Sequence, residues 1–347
     1  MREELRTLLA EAGVEPELLS GSWNRTLVIN NIGSVALRSE HLAGEFADRG
    51  FHMMLLDPEG IPVYHCKCRP ALSGGRFHRE AEVLLGFGGH PDSAPIVPTT
   101  AVVHNERMEV QVARFLQGTR LDHALPGMDE SRRDRVIGRV LEASAILSQV
   151  ALELPGVFPG RSDPAPLEGA AQESLESLAA LGVADQDVEV FRKVLADCGS
   201  VPASPQHRDL WPENVFVSPD GSCTLVDFDH FGEVTVPLFD ALHFVRTAGE
   251  HVSAHRGSWL DQLEGGGPLY RSQRHALRQE VDRLALVPDA VGGCILFYLI
   301  HVAVATFTRG APEAFWGRLR DELPGAARRL RESGSARAFA ESLLASP

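Results

Sequence analysis

One stretch constrains this 347-residue chain more than any other: Ser204-Pro-Gln-His207-Arg208-Asp209-Leu-Trp211-Pro-Glu-Asn214-Val-Phe-Val217. Asn214 follows Asp209 by five residues, so it can return from the same loop. Val215-Phe-Val217, a turn at Ser218-Pro-Asp-Gly-Ser222 and Cys223-Thr-Leu-Val226 then read as a β-hairpin whose end delivers Asp227 beside that loop. Thirteen residues separate Asn214 from Asp227, and the hairpin explains how such distant side chains converge.

The rest of the chain supplies a setting for that loop. Residues 2–12 read as a short amphipathic helix with Leu5, Leu8 and Leu9 on one face, and with charge inside that pattern no signal peptide is expected. Thr26–Asn30 and Ser34–Arg38 are β-rich around a turn at Asn30–Gly33. A clearer hairpin joins Phe51–Asp57 to Ile61–Cys68 through Pro58-Glu-Gly60. Phe77–Phe87 reads as a helix and Val102–Phe115 as further strand. Beyond Gln117-Gly118 the pattern turns helical, over Asp129–Leu154, Glu173–Ala196 and most of the chain after Pro237, with a Pro/Gly-rich loop at 155–166. The expected organisation is a β-rich lobe over 1–117 and a helical lobe over 118–347 that carries the Asp209 loop.

Composition narrows the class. A net charge of −14 argues against nucleic-acid partners, which need clustered Lys and Arg. It is compatible with a cationic substrate and equally with plain solubility. Five cysteines (66, 68, 198, 223 and 294) form no CxxC pair, which fits a reduced, cytoplasmic chain. Val291–Phe307 is apolar but 17 residues long, short of the ~20 of a bilayer span, so a buried core helix is expected and no membrane partner.

His207-Arg208-Asp209 with Asn214 and then Asp227-Phe228 matches the phosphoryl-transfer pattern of protein-kinase-type enzymes. The chain resembles the aminoglycoside phosphotransferase (choline-kinase-like) family, which shares that two-lobed α+β fold and binds nucleotide between its lobes. Val236-Pro-Leu-Phe-Asp240-Ala-Leu resembles the family's Pro-x-x-Asp-Leu-Ala segment, placed where a protein kinase carries its activation loop and Ala-Pro-Glu motif. Val112–Gly118 resembles the hinge at which backbone groups meet the adenine, which makes the Arg114 C=O and the Leu116 N–H candidates. The resemblance covers most of residues 20–250. It departs from the family at Arg208, where His-Gly-Asp is usual, and at Trp211, which stands where Ser/Thr kinases carry a lysine and which packs or lines the acceptor site.

In that light Asp209 is the candidate catalytic residue, orienting the acceptor hydroxyl, and Asn214 and Asp227 are candidate Mg²⁺ ligands. His207 is expected to be buried beneath the loop. Lys67, flanked by Cys66 and Cys68 that point to the opposite face, fits the phosphate-contacting lysine, and Glu80, thirteen residues on, fits its partner. Glu82 lies on another face of that helix. In this register Ala43–Phe51 covers the phosphates. A rival register uses Ser20–Thr26 as the loop and Arg38 in the lysine position; strand, lysine and glutamate order favours Lys67. Asp240 is expected to cap a helix or brace a loop, and Asp229 to join the metal site or face solvent.

The activity so implied is Mg²⁺-dependent transfer of the γ-phosphate of ATP or GTP to a hydroxyl of a small molecule, such as an antibiotic, aminosugar or other natural product. A Ser/Thr peptide acceptor, to which His-Arg-Asp leans, and a catalytically inactive nucleotide-binding module are the alternatives. The sequence leaves the acceptor, the choice of ATP or GTP and the oligomeric state open.

Overall fold

The computed structural model describes residues 2–20, 27–30, 33–36, 51–72, 77–158, 163–252, 259–260, 268–308 and 313–344. Arg38 and both candidate phosphate loops, apart from Ser20 and Phe51 at their ends, lie outside the described residues. The chain forms two compact units: Met1–Gly118 with Thr224–Asp229, and Thr119–Cys223 with His230–Pro347.

The N-terminal unit is built on one six-stranded sheet: β1 (Leu27–Asn30), β2 (Gly33–Ala36), β3 (Phe51–Leu56), β4 (Pro62–Pro70), β5 (Thr100–His104) and β6 (Met108–Arg114), in the order β2-β1-β3-β4-β6-β5. Every neighbouring pair is antiparallel. The expected strand over Val102–Phe115 is two strands, turned by Asn105, whose side-chain oxygen accepts the N–H groups of Arg107 (2.8 Å) and Met108 (2.9 Å).

Alternation along the strands sorts the two faces of this sheet. Phe51, Met53, Leu55, Cys66, Cys68, Val110 and Val112 turn to one face and bury against Leu5, Leu8 and Leu9 of the Arg2–Glu11 helix. Each such side chain contributes roughly 1.5–3 kcal/mol of burial. The opposite face of the same strands carries His52, His65, Lys67 and Gln111, since His52 and Gln111 pair across from Lys67. The Arg79–Gly88 helix buries Ala81, Val83, Leu84 and Phe87, and the same spacing brings Glu80 inside.

The C-terminal unit is helical. Its central element, Pro288–Thr308, is long and apolar enough to cross a membrane, yet 78% of its most apolar window is buried inside the protein. Its burial makes it a core helix, as expected, although at 21 residues it is longer than the 17-residue apolar stretch behind that expectation. The Gly292–Gly293 pair lets neighbours approach it closely. A Cβ on Gly292 would stand 2.1 Å from the Ala336 carbonyl oxygen, and one on Gly293 would stand 2.6 Å from Leu167 and 2.8 Å from the Cys198 sulfur.

Glu130–Glu153 is a single helix, started by Asp129, whose carboxylate accepts the Arg132 N–H at 2.7 Å. Glu173–Ala196, by contrast, is broken into Leu167–Ser177 and Asp185–Asp197, because Gly182 (φ +78°) turns the chain left-handed between them. All five cysteines are free thiols.

Candidate active site

The residues singled out from the sequence fall into two groups, one in each unit. In the N-terminal unit the structure brings Lys67, Glu80 and Asp227 together. Lys67 Nζ donates to both Glu80 oxygens at 2.7 Å and to Asp227 Oδ1 at 3.1 Å. Asp227 reaches this place because the segment Thr224–Asp229 packs in the N-terminal unit: Leu225 N–H donates to Ile96 C=O (2.8 Å), and the Phe228 ring lies 5.9 Å from that of Phe87. Glu80, 1% exposed, also accepts the Phe228 N–H at 3.3 Å, so it ties strand, helix and the Thr224–Asp229 segment at one point.

One member of this cluster, Arg69, was not assigned by sequence reasoning, and it settles the surroundings of Asp229. Arg69 Nη2 donates to both oxygens of Asp229 (2.8 and 2.9 Å) and to Glu80 (3.1 Å). The signal was present in the i, i+2 spacing from Lys67, which puts both cations on one face of β4. Asp229 is therefore paired within the protein, neither a plain surface carboxylate nor an uncommitted ligand. Glu82 faces solvent, with Arg79 3.8 Å away.

Glu80, Asp227 and Asp229 can each bring an oxygen within 4.8 Å of the others. At that separation each like-charge pair costs about 3–4 kcal/mol at an effective dielectric constant near 20, so the two cations are what make the cluster tenable. Burial acts to neutralise Lys67, but the three carboxylates outweigh it and raise its pKa, so the ammonium is kept. Burial likewise works against the Asp229 charge, and Lys67 and Arg69 together hold its pKa below the ordinary value.

Arg114 and Leu116 stand at the end of β6. Tyr64 faces Arg114, and the Phe115 N–H reaches Val63 C=O at 2.8 Å, so Tyr64–Arg114 is a non-hydrogen-bonded pair of the ladder. The Arg114 N–H and C=O thus turn away from β4, the N–H to Thr99 C=O at 3.2 Å.

The second group is in the C-terminal unit. Asn214 Nδ2 donates to Asp209 C=O (2.9 Å) and to Asp209 Oδ2 (3.3 Å), which closes the loop on itself. With its amide nitrogen so used, the Asn214 side-chain oxygen is turned outward from those bonds.

The loop is anchored from below by Asp240. Its carboxylate accepts the N–H groups of His207 (2.6 Å) and Arg208 (2.9 Å) and the Ser144 hydroxyl (3.1 Å). The Asp240 N–H donates to Gln206 Oε1 (2.9 Å), and Gln206 Nε2 donates to Ser204 (2.9 Å), whose hydroxyl meets Ser148 (2.9 Å). Burial raises the Asp240 carboxyl to about 6, against the pull of those two backbone N–H groups. Asp240 thus braces the loop, one of the two roles expected for it; His207 is buried, at 1% exposure.

Backbone conformation explains the Arg208 departure. Arg208 has φ +71°, in the left-handed region that glycine enters without penalty and other residues enter at about 1–2 kcal/mol. Here the arginine is held by its N–H bond to Asp240 and by an ion pair with Glu233, with His230 Nδ1 3.3 Å from the guanidinium. Asp227 (φ +70°) and Leu238 (φ +65°) are strained in the same way, so three of the four non-glycine left-handed residues described lie in or beside these loops. Trp211 is half-buried, and its indole N–H has no hydrogen-bond partner among the described residues.

A fold with a small antiparallel β unit and a helical unit, carrying a buried lysine–glutamate pair and an aspartate–asparagine loop, defines a protein-kinase-like phosphotransferase. The family model of the phosphotransferase enzyme family matches residues 63–272, and the chain belongs to that family. It is an enzyme that transfers a phosphoryl group to a hydroxyl of a small molecule. No curated protein matches the chain.

Solved structures share the fold at low identity. The GDP complex of an aminoglycoside 2'-phosphotransferase is 12% identical with a TM-score of 0.53, covering 96% of this chain and 100% of that one. An aminoglycoside phosphotransferase complexed with GDP and kanamycin is 12% identical with a TM-score of 0.51, covering 94% and 98%. An ethanolamine kinase from Plasmodium vivax is 10% identical with a TM-score of 0.50, covering 93% and 86%.

Proposed function

We propose that the protein transfers the γ-phosphate of ATP or GTP to a hydroxyl of a small natural product or metabolite, with Mg²⁺. The observation that carries this reading is the Lys67 ammonium, held at 2.7 Å by buried Glu80 and at 3.1 Å by Asp227. A buried cation clamped beside a partly exposed carboxylate is equipped to exchange that carboxylate for a phosphate oxygen. Lys67 then supports the triphosphate, Glu80 keeps the ammonium aimed, and the Arg114 C=O and Leu116 N–H meet the base.

The donor set fits a hard cation, because Asp227 offers a carboxylate and Asn214 an amide oxygen not engaged by Asp209. When bound, Mg²⁺ would neutralise charge on the phosphates, with Asp227 and Asn214 as its protein ligands. Asp209 accepts the hydrogen bond of the acceptor hydroxyl, orients it for in-line attack, and takes its proton as the new O–P bond forms and the bond from the γ-phosphorus to the β,γ-bridging oxygen breaks, releasing the nucleoside diphosphate. The brace from Asp240 fixes the backbone on which Asp209 stands.

The acceptor is a small molecule. The arginine that leaned toward a peptide has a local task, its ion pair with Glu233. The GDP carried by the two aminoglycoside phosphotransferase structures makes GTP a co-substrate to test beside ATP.

The test is phosphate release and product formation with Mg·ATP and Mg·GTP against panels of aminoglycosides, amino alcohols, sugars and Ser/Thr peptides. Transfer to a small hydroxyl compound is expected, lost in Asp209→Ala, and Mg²⁺-dependent nucleotide binding is expected to be lost in Asp227→Ala. Full turnover by Asp209→Ala, or unchanged nucleotide binding by Asp227→Ala, would overturn the assignment.

A further inference from the structure

Lys67 and Arg69 are built into the cluster in parallel. Each donates to Glu80, and each holds one aspartate: Lys67 takes Asp227 at 3.1 Å, and Arg69 takes Asp229 at 2.8 and 2.9 Å. The two aspartates are alike in access, with side chains 42% and 38% exposed, and their oxygens can meet within 4.8 Å. What separates them is the cation. An ammonium on a flexible stem can leave a carboxylate for a phosphate, whereas the always-charged, weakly hydrated guanidinium of Arg69 keeps its Nη2 on both Asp229 oxygens and on Glu80 and neutralises the carboxylate there.

We propose that Arg69 is a positioning residue that withholds Asp229 from the divalent cation, so that Asp227 alone of this segment serves as metal ligand. The inference rests on the metal role proposed above for Asp227. Without Arg69, Asp229 would become a free carboxylate within 4.8 Å of the Lys67-bound Asp227 and Glu80, and the two aspartates together would trap a free cation before the nucleotide arrives. With Arg69 in place, the cation is bound weakly by the free protein and gains its remaining ligands from the phosphates. Arg69 also links Asp229 to Glu80, so the turn at Asp227 is tethered to the same residue that aims Lys67.

The experiment is a Mn²⁺ titration of the full-length protein followed by electron paramagnetic resonance, without nucleotide and then with a non-hydrolysable ATP analogue. Arg69→Met is expected to bind Mn²⁺ in the absence of nucleotide on the order of tenfold more tightly than wild type, the scale on which outer-shell substitutions act. Arg69→Met/Asp229→Asn is expected to return to the wild-type affinity, and Asp229→Asn alone to leave it unchanged. In turnover Arg69→Met loses roughly 10–100-fold in kcat, with Arg69→Lys recovering part of it.

A purely structural arginine would lower stability and activity without raising Mn²⁺ affinity, and that result would overturn the proposal. So would a tenfold loss of Mn²⁺ affinity in Asp229→Asn, which also decides the question if Arg69→Met fails to fold. The Mn²⁺ readout needs no acceptor: a wild type that transfers no phosphate yet shows this pattern would refute the proposed activity and leave the role of Arg69 standing.

Discussion

The two groups of candidate site residues are held by different forces. In the N-terminal unit five formal charges, Lys67, Arg69, Glu80, Asp227 and Asp229, hold one another. In the C-terminal unit one buried carboxylate, Asp240, holds the backbone of the Asp209 loop, helped by neutral Ser144, Gln206 and Ser204. A charged cluster can re-partner when phosphates and a cation arrive, because each ion has alternatives close by. A loop pinned through its own N–H groups has none, and stays where it is. In the proposed mechanism the adaptable group is the one that would meet variable charge, and the rigid one is the one that would aim the proton acceptor.

Four variants would break or sharpen that contrast. Asp209→Ala should have the largest effect, a loss of roughly 10³–10⁴-fold in kcat with nucleotide affinity changed less than about threefold, read by turnover and calorimetric binding. Lys67→Met should lower kcat/KM for nucleotide by roughly 10²-fold and, by leaving Glu80 buried with Arg69 alone, destabilise the protein by about 3 kcal/mol in urea unfolding. A Lys67→Met protein with wild-type stability would show that the cluster is not held by its charges.

Asp240→Asn should cost roughly 10–100-fold in kcat, since an amide presents an N–H to one of the two backbone donors it must accept. Its pH dependence is the sharper test. The folded carboxyl titrates near 6, above its value of 3.8 in an open chain, so the folded state takes up the proton first. Its contribution to stability is therefore greatest at low pH and falls by ~3 kcal/mol as pH rises from about 4 through 6. Activity should run the other way, because protonation weakens the brace: wild-type kcat falls as pH drops below about 6, and the wild-type advantage over Asp240→Asn in unfolding free energy widens. The same stability difference at pH 5 and pH 8 would refute this.

Arg208→Gly should do least. Relief of the left-handed φ is offset by greater freedom of the unfolded chain and by loss of an ion pair to Glu233, whose side chain is 49% exposed. The net change should stay within about 1 kcal/mol and kcat within about threefold. A large loss would mean that the Glu233 contact positions Asp209.

Much of this was legible in the residues because the relevant signals are local. The Asp209–Asn214 loop, the hairpin after it and the alternation around Lys67 are short-range patterns, and their periods fix which side chains share a face. Three things were not legible. The break at Gly182 is one glycine in a helical run, indistinguishable by pattern from a tolerated one. Arg69 reads as an ordinary strand arginine until Asp229, 160 residues on, is beside it. The choice between capping and bracing for Asp240 depends on which backbone N–H groups fold over it, which no spacing encodes.

The placement of Thr224–Asp229 in the N-terminal unit bears on how the protein is made. A nascent chain of 118 residues has the strands of the sheet and the Arg79–Gly88 helix, but lacks Phe228, which packs on Phe87, and the Phe228 N–H, which Glu80 accepts. It also lacks both aspartates that pair with Lys67 and Arg69. Folding of the first unit is thus completed only after more than a hundred further residues have been synthesised. The first lobe to leave the ribosome must wait for a segment of the second half of the chain, and the Phe87 surface that Phe228 later covers is what a chaperone would meet in the interval.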